Sequence, residues 1–157
     1  MSAFHLAQIN TARLRAPLAD PSMAEFVAGL TLMNELADRS PGFVWRLIGD
    51  DGDGTIATDA DPGRIYTMSV WETPAHLRAY AYQSDHLDYL RRRREWFHPH
   101  GPDAALVLWW LPAGDLPTLQ QGLDRLDRLR ADGSTPEAFT FRAPFPAPVL
   151  SETTHGR

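Results

Sequence analysis

Three histidines gather around one stretch of the chain, where His86, His98 and His100 bracket a segment that also carries Trp96 and Phe97. An imidazole ionises near neutral pH and can take or return a proton there, while aromatic neighbours would hold an acidic aromatic molecule beside it. His86 and His98 are therefore the candidate catalytic groups. His86 is the stronger candidate base, because it sits at an expected helix break beside Tyr82 and Tyr89, where partial burial would keep its imidazole neutral. The plain alternative is that His86 only hydrogen-bonds at that break and that His98 and His100 lie on a surface turn. Around these groups, Trp71 and Trp96 are candidate walls of a ligand space, and Asn10, His76, Tyr82 and Arg94 are candidate substrate contacts. Core packing is the competing role for Trp71. Tyr80 and Tyr82 cannot share a helix face, since two residues turn the direction by roughly 200°. Of the run Arg91 to Arg94, the residues fan around a helix axis and no pocket sees all four; Arg94 is the one expected to meet a substrate carboxylate or phenolate.

Several chemistries are excluded by residue type. The chain has 157 residues and no cysteine, so thiolate nucleophiles and cysteine-held metals are absent; all fifteen basic residues are arginine, which removes Schiff-base lysines. No phosphate-binding glycine loop or nucleophile elbow appears. Asp51-Gly-Asp-Gly54 mimics the middle of a calcium loop, but the first ligand position is Gly49 and the twelfth is Ala60, so a turn is expected there. His98-x-His100 lacks an acidic partner at helical spacing, and no metal site or cofactor is expected. A formal charge of −5 argues against nucleic-acid or anionic-membrane partners. With no signal-like start and no apolar run long enough to span a bilayer, the expected setting is cytoplasmic.

The elements that would position these residues follow from hydrophobic period. Residues 4–9 alternate as a strand. From Ser22 the apolar positions fall at helical spacing, with Ser22 and Glu25 expected as a capping box and Pro41-Gly42 as the stop. Residues 43–48 and 64–71 form a strand pair joined by a long Gly/Asp-rich loop. Thr73-Pro74 starts a second helix, and a new cap at Ser84-Asp85 starts the segment 86–97. Residues 104–111 form a strand, Leu116, Leu119, Leu123, Leu126 and Leu129 mark a further amphipathic helix ending at Gly133, and residues 139–142 form a short last strand. Residues 1–147 are then one domain, and 148–157 an extended or disordered tail.

Strand, helix, strand, strand, helix, strand is the order of the ferredoxin-like βαββαβ fold, an antiparallel sheet with helices on one face. Residues 104–111 are apolar at both parities, as are 43–48, so the other face of the sheet must be covered too. A second copy packed face to face is the expected cover, giving a homodimer through the sheet faces; the C-terminal helix of the same chain is the rival.

Ser69-Val-Trp-Glu72, Tyr82-x-Ser-x-His86, Arg93-Arg-Glu-Trp-Phe97, Val107-Leu-Trp-Trp110, Pro112-Ala-Gly-Asp-x-Pro117, Arg125-Leu, Gly133 and Ala138-Phe-Thr-Phe141 together resemble the family called domain of unknown function 3291. The resemblance runs over about residues 4–147. It implies a dimeric α+β barrel, a group that includes the antibiotic-biosynthesis monooxygenases and a set of haem-degrading enzymes, and it supplies no catalytic residues. The haem degraders' pattern is not matched, because no histidine follows a helical tryptophan at their spacing. The function these readings lead to is a small enzyme acting on a hydrophobic, aromatic or polyketide-like molecule by proton transfer or cofactor-independent oxygenation. A ligand- or haem-binding dimer without activity and a purely structural dimer are the alternatives.

Overall fold

The computed structural model of the chain describes residues 3–48, 56–58, 61–82, 91–99 and 103–149. Its elements are β1 (Phe4–Leu14), a 3-10 turn (Pro21–Met23), α1 (Ala24–Arg39), β2 (Phe43–Arg46), β3 (Ile56–Thr58), β4 (Asp61–Trp71), α2 (Pro74–Ala81), α3 (Arg93–Trp96), β5 (Phe97–His98), β6 (Leu106–Pro112) and α4 (Leu119–Asp132). His86, His100 and the Asp51-Gly-Asp-Gly54 loop lie outside the described residues.

β1 and β4 pair antiparallel from Leu6 opposite Trp71 to Arg13 opposite Arg64 and form the middle of the sheet. β2 and β3 flank β4, while β6 and β5 flank β1, all antiparallel. This is the expected ferredoxin-like order. Because neighbouring side chains on a strand point to opposite faces, the core separates by parity. Ala7, Ile9, Met68, Val70, Val107 and Trp109 pack with Leu126 and Leu129 of α4. Leu6, Trp71 and Leu108 pack instead with Ala37 and Leu77, and Leu14 and Ile65 pack with Phe26 and Leu30. Thus α1 and α2 lie on one face and α4 on the other.

The second face is covered by the chain's own C-terminal helix, the rival cover that the sequence offered. The chain's own α4 occupies the place where a partner sheet was expected, so tightly that a Cβ on Gly122 would lie 2.9 Å from Ile9 Cδ1. β6 is apolar at both parities because its other side is also covered by the chain itself. Phe139, Phe141 and Phe145 pack there, and Trp110 Nε1 donates to the Phe145 carbonyl at 3.0 Å. The short last strand shrinks to one bridge, in which Phe139 and Leu108 exchange backbone hydrogen bonds of 2.8 and 2.9 Å.

Caps explain where the helices start. Thr73 accepts from the His76 amide at 3.1 Å with Pro74 at the first helical position, as expected. Thr118 and Gln121 form a capping box at α4, which leaves Leu116 outside the helix and exposed. The expected Ser22 cap of α1 does not form: Asp20 caps the 3-10 turn instead, its carboxylate accepting from both the Ser22 amide and hydroxyl, and α1 follows Met23 with no side-chain cap. Pro21 fixes a 3-10 turn first, and the α-helix begins only at Ala24. No helix among the described residues is long and apolar enough to cross a membrane.

Candidate functional site

Between the sheet and α1 and α2 lies a cavity of about 250 Å³, larger than the ~150 Å³ that accommodates benzene. Its floor comes from the even positions of β1 and the odd positions of β4. On both strands the residues aimed at α4 are apolar, Ala7 and Ile9 beside Met68 and Val70. The residues aimed at the cavity are polar, Gln8 opposite Ser69 and Asn10 opposite Thr67. Arg46 of β2 pairs in register with Ser69, so Arg46, Ser69 and Gln8 form a row across three strands. A helical stripe of α1, Phe26, Leu30, Met33 and Ala37, forms the roof.

Aromatic rings close the two ends. At one end the Tyr80 ring stacks on Trp71, with centroids 5.0 Å and planes 27° apart. Trp71 is fully buried, with the Phe43 ring against it at 5.4 Å, so it backs the wall and Tyr80 faces the space. At the other end Phe26 meets Trp96 at 5.4 Å and Phe97 at 5.0 Å. The α3 end is tied to α1 by Arg92, which pairs with Glu25 and Glu95 at 2.8 Å each and lies over the Trp96 ring. Hydrogen bonds from Arg92 hold the Glu95 carboxyl below its ordinary range.

The polar groups form a short network. Ser69 Oγ accepts from Gln8 Nε2 at 2.8 Å and from Trp71 Nε1 at 2.9 Å. The Arg46 guanidinium donates from Nε and Nη2 to Asp38 at 2.8 and 3.3 Å. Tyr80 donates to the Met33 carbonyl at 3.2 Å. Burial pushes the Tyr80 phenol up to about 12, with Arg46 opposing and Asp38 adding to the rise, so it remains a neutral donor under physiological conditions. Among the described lining residues there is no imidazole or carboxylate. The donor set therefore suits hydrogen bonding to ligand oxygens better than ligation of a metal.

The candidate residues chosen from sequence divide sharply. Asn10, Trp71 and Trp96 line the cavity. His76 does not: its Nδ1 lies 2.8 Å from Thr73 Oγ1, and its ring covers Gly42, whose φ of 80° and missing Cβ leave room for it. His98 sits on β5 opposite Arg13 and is exposed. Tyr82, at the end of α2, is 60% exposed; Tyr80 is the tyrosine that turns inward. Arg94 is exposed, its carbonyl accepting from Arg15 Nε at 2.7 Å, and Arg93 lines the cavity instead. Gln8, Arg46, Thr67 and Ser69 also line the cavity and are not singled out by the sequence. The available signal was polar residues at alternate positions of two strands central to a sheet with both faces covered.

These features define a ferredoxin-like α+β unit whose cavity has aromatic ends and a hydrogen-bonding floor. The chain matches the family described as Domain of unknown function (DUF3291) over residues 5–155, and it belongs to that family. No curated protein matches it. Among solved structures, it is 18% identical to SnoaB, a cofactor-independent oxygenase from Streptomyces nogalater, with 74% of this chain and 98% of that chain covered and a TM-score of 0.49. PA3566 from Pseudomonas aeruginosa is 14% identical, with 74% and 98% covered and the same TM-score of 0.49. A conserved protein from Methanosarcina mazei is 9% identical, with 70% and 93% covered and a TM-score of 0.48. Likeness at this level says nothing of reaction or ligand.

Proposed function

We propose that the chain is a small enzyme whose substrate is a hydrophobic, electron-rich aromatic molecule held in the cavity between the sheet and α1 and α2. The observation that carries this reading is the coexistence of aromatic ends, a mostly apolar roof and a polar floor on one side of the sheet. Apolar surface supplies affinity in such a site, and a few fixed polar groups supply orientation. The reaction class is proton transfer or cofactor-independent oxygenation. In the second case a phenol loses its proton, the phenolate passes electrons to O₂, and the ring C–H para to the phenol oxygen becomes C=O as O₂ yields the new oxygen and one water. The cavity's part is to desolvate and orient the ring.

The proton acceptor in this proposal is His86, which follows Tyr82 by four residues in the chain. The test is oxygen uptake with 1-naphthol by the purified protein and by His86→Gln. Uptake well above the spontaneous rate, falling ~10²-fold in the variant with an unchanged melting temperature, is the expected outcome. Uptake no faster than without protein, across naphthols and dihydroxynaphthalenes, would remove oxygenation. Unaltered turnover in His86→Gln would remove that residue.

Assembly belongs to the same proposal. Since α4 occupies the sheet face, a homodimer through these faces requires α4 to be exchanged between copies. A monomer mass of 17.6 kDa in dilute solution would contradict the dimer.

A further inference from the structure

The Ser69 hydroxyl is held by two donors. Trp71 Nε1 can only donate, and the Gln8 amide nitrogen likewise, so both lone pairs of the Ser69 oxygen are taken. Its own proton is left to point elsewhere, on a residue that lines the cavity floor. Turning the Gln8 amide over merely exchanges the free donor: Ser69 would then donate to the amide oxygen, and the amide N–H groups would be released instead. Next in the row, Arg46 is held in place by Asp38 through two of its nitrogens. Its third nitrogen, Nη1, is buried and has no acceptor among the described residues. The Arg46 side chain is 19% exposed, while that of Asp38 is 45% exposed, so the positive partner is the one turned inward.

A buried donor without an acceptor is unfavourable, and Arg46 lines the cavity, where a ligand oxygen would relieve it. No described carboxylate lines the cavity to repel an anion. The neighbouring wall is the Trp71–Tyr80 stack, and the Tyr80 proton is already committed to Met33. We propose that the row Arg46, Ser69 and Gln8 is an anion-recognition site, selecting aromatic ligands that carry an anionic oxygen, a carboxylate or an ionised phenol, beside the ring. This rests on the reading of the cavity as the ligand site.

The experiment uses 4-nitrophenol, a phenol that ionises near neutral pH and changes colour as it does so. Its apparent pKa is measured when bound to the wild-type protein, to Arg46→Gln and to Ser69→Ala, each checked for an unchanged circular-dichroism melt. An anion site lowers the bound pKa by about one unit, a tenfold preference for the phenolate, whereas an apolar cavity raises it. The expected result is a lowered value in the wild type, reversed in Arg46→Gln and reduced in Ser69→Ala. An upward shift in the wild type, or a downward shift that survives both substitutions, would overturn the proposal while leaving the cavity as a ligand site. No binding of 4-nitrophenol, 4-nitrobenzoate or the neutral 4-nitrobenzamide would overturn the cavity reading itself. Competition separates the two sources of the anion. Displacement of nitrophenol by nitrobenzoate at about tenfold lower concentration than by nitrobenzamide supports a carboxylate ligand; equal displacement, with the lowered pKa, supports a phenolate.

Discussion

The two faces of the sheet are built from alternate residues of the same strands, yet one is sealed and the other hollow. Facing α4, Ala7, Ile9, Met68 and Val70 leave no polar atom to satisfy, and Gly122 lets the helix backbone close on them. Facing α1, Gln8, Asn10, Thr67 and Ser69 cannot be packed dry, so the helices stand off and a cavity remains. One face is committed to holding the fold together. The other gives up packing for a binding surface, and mutations should separate the two.

Exchanging residue types at adjacent positions gives the largest contrast. Ile9→Asn removes a buried aliphatic side chain and leaves an amide without partners on the sealed face, with an expected loss of about 3–5 kcal/mol. Asn10→Ile, one residue away but aimed into the cavity, is expected to stay within about 0.5 kcal/mol, as for an exposed site. Denaturant melts of both variants check this, and equal losses would erase the distinction between the faces. Gly122→Leu should come next, because the added side chain meets Ile9 and Met68 and overpacking costs about 1–3 kcal/mol. An unchanged melt would mean that α4 does not sit tightly on the sheet.

A smaller, pH-dependent effect belongs to the hollow face. Burial favours the neutral phenol of Tyr80, whose pKa is raised from 10.0 to about 12. The folded chain therefore holds this proton more tightly than the unfolded chain. Stability from this group is complete below pH 10 and falls away as the pH rises toward 12. Tyr80→Phe should flatten that fall. In an absorbance titration the Tyr80 phenol should ionise above pH 10, toward 12, and that step should be missing from Tyr80→Phe.

Much of the frame was legible because it depends on local chemistry. Thr73-Pro74 specifies the start of α2, and the leucine period specifies α4. The strand order follows from alternating elements. The Ser22 cap failed because Pro21 imposes a turn ahead of the helix and presents the Asp20 carboxylate instead. Both-sided apolar character correctly demanded covers, but hydrophobicity cannot tell whether a cover comes from the same chain or another copy. Within the site, Trp71 and Trp96 were legible as expected walls, whereas Asn10, expected just past the end of a strand over 4–9, lies inside β1. Tyr80 and Arg93 were displaced to Tyr82 and Arg94 because helical phase was uncertain by a residue or two. Arg46, Ser69 and Gln8 escaped notice because each is ordinary on a solvated strand. Only the register of three strands makes them a row.

The most direct test is a crystal structure of the protein with 2-naphthol bound. The ring should lie between the Trp71–Tyr80 stack and the Trp96 end, with its oxygen within hydrogen-bonding distance of Ser69 or Arg46. Naphthol bound only on the outer surface or under α4, with the space above Gln8, Asn10 and Ser69 empty, would contradict the assignment of the ligand site to this face.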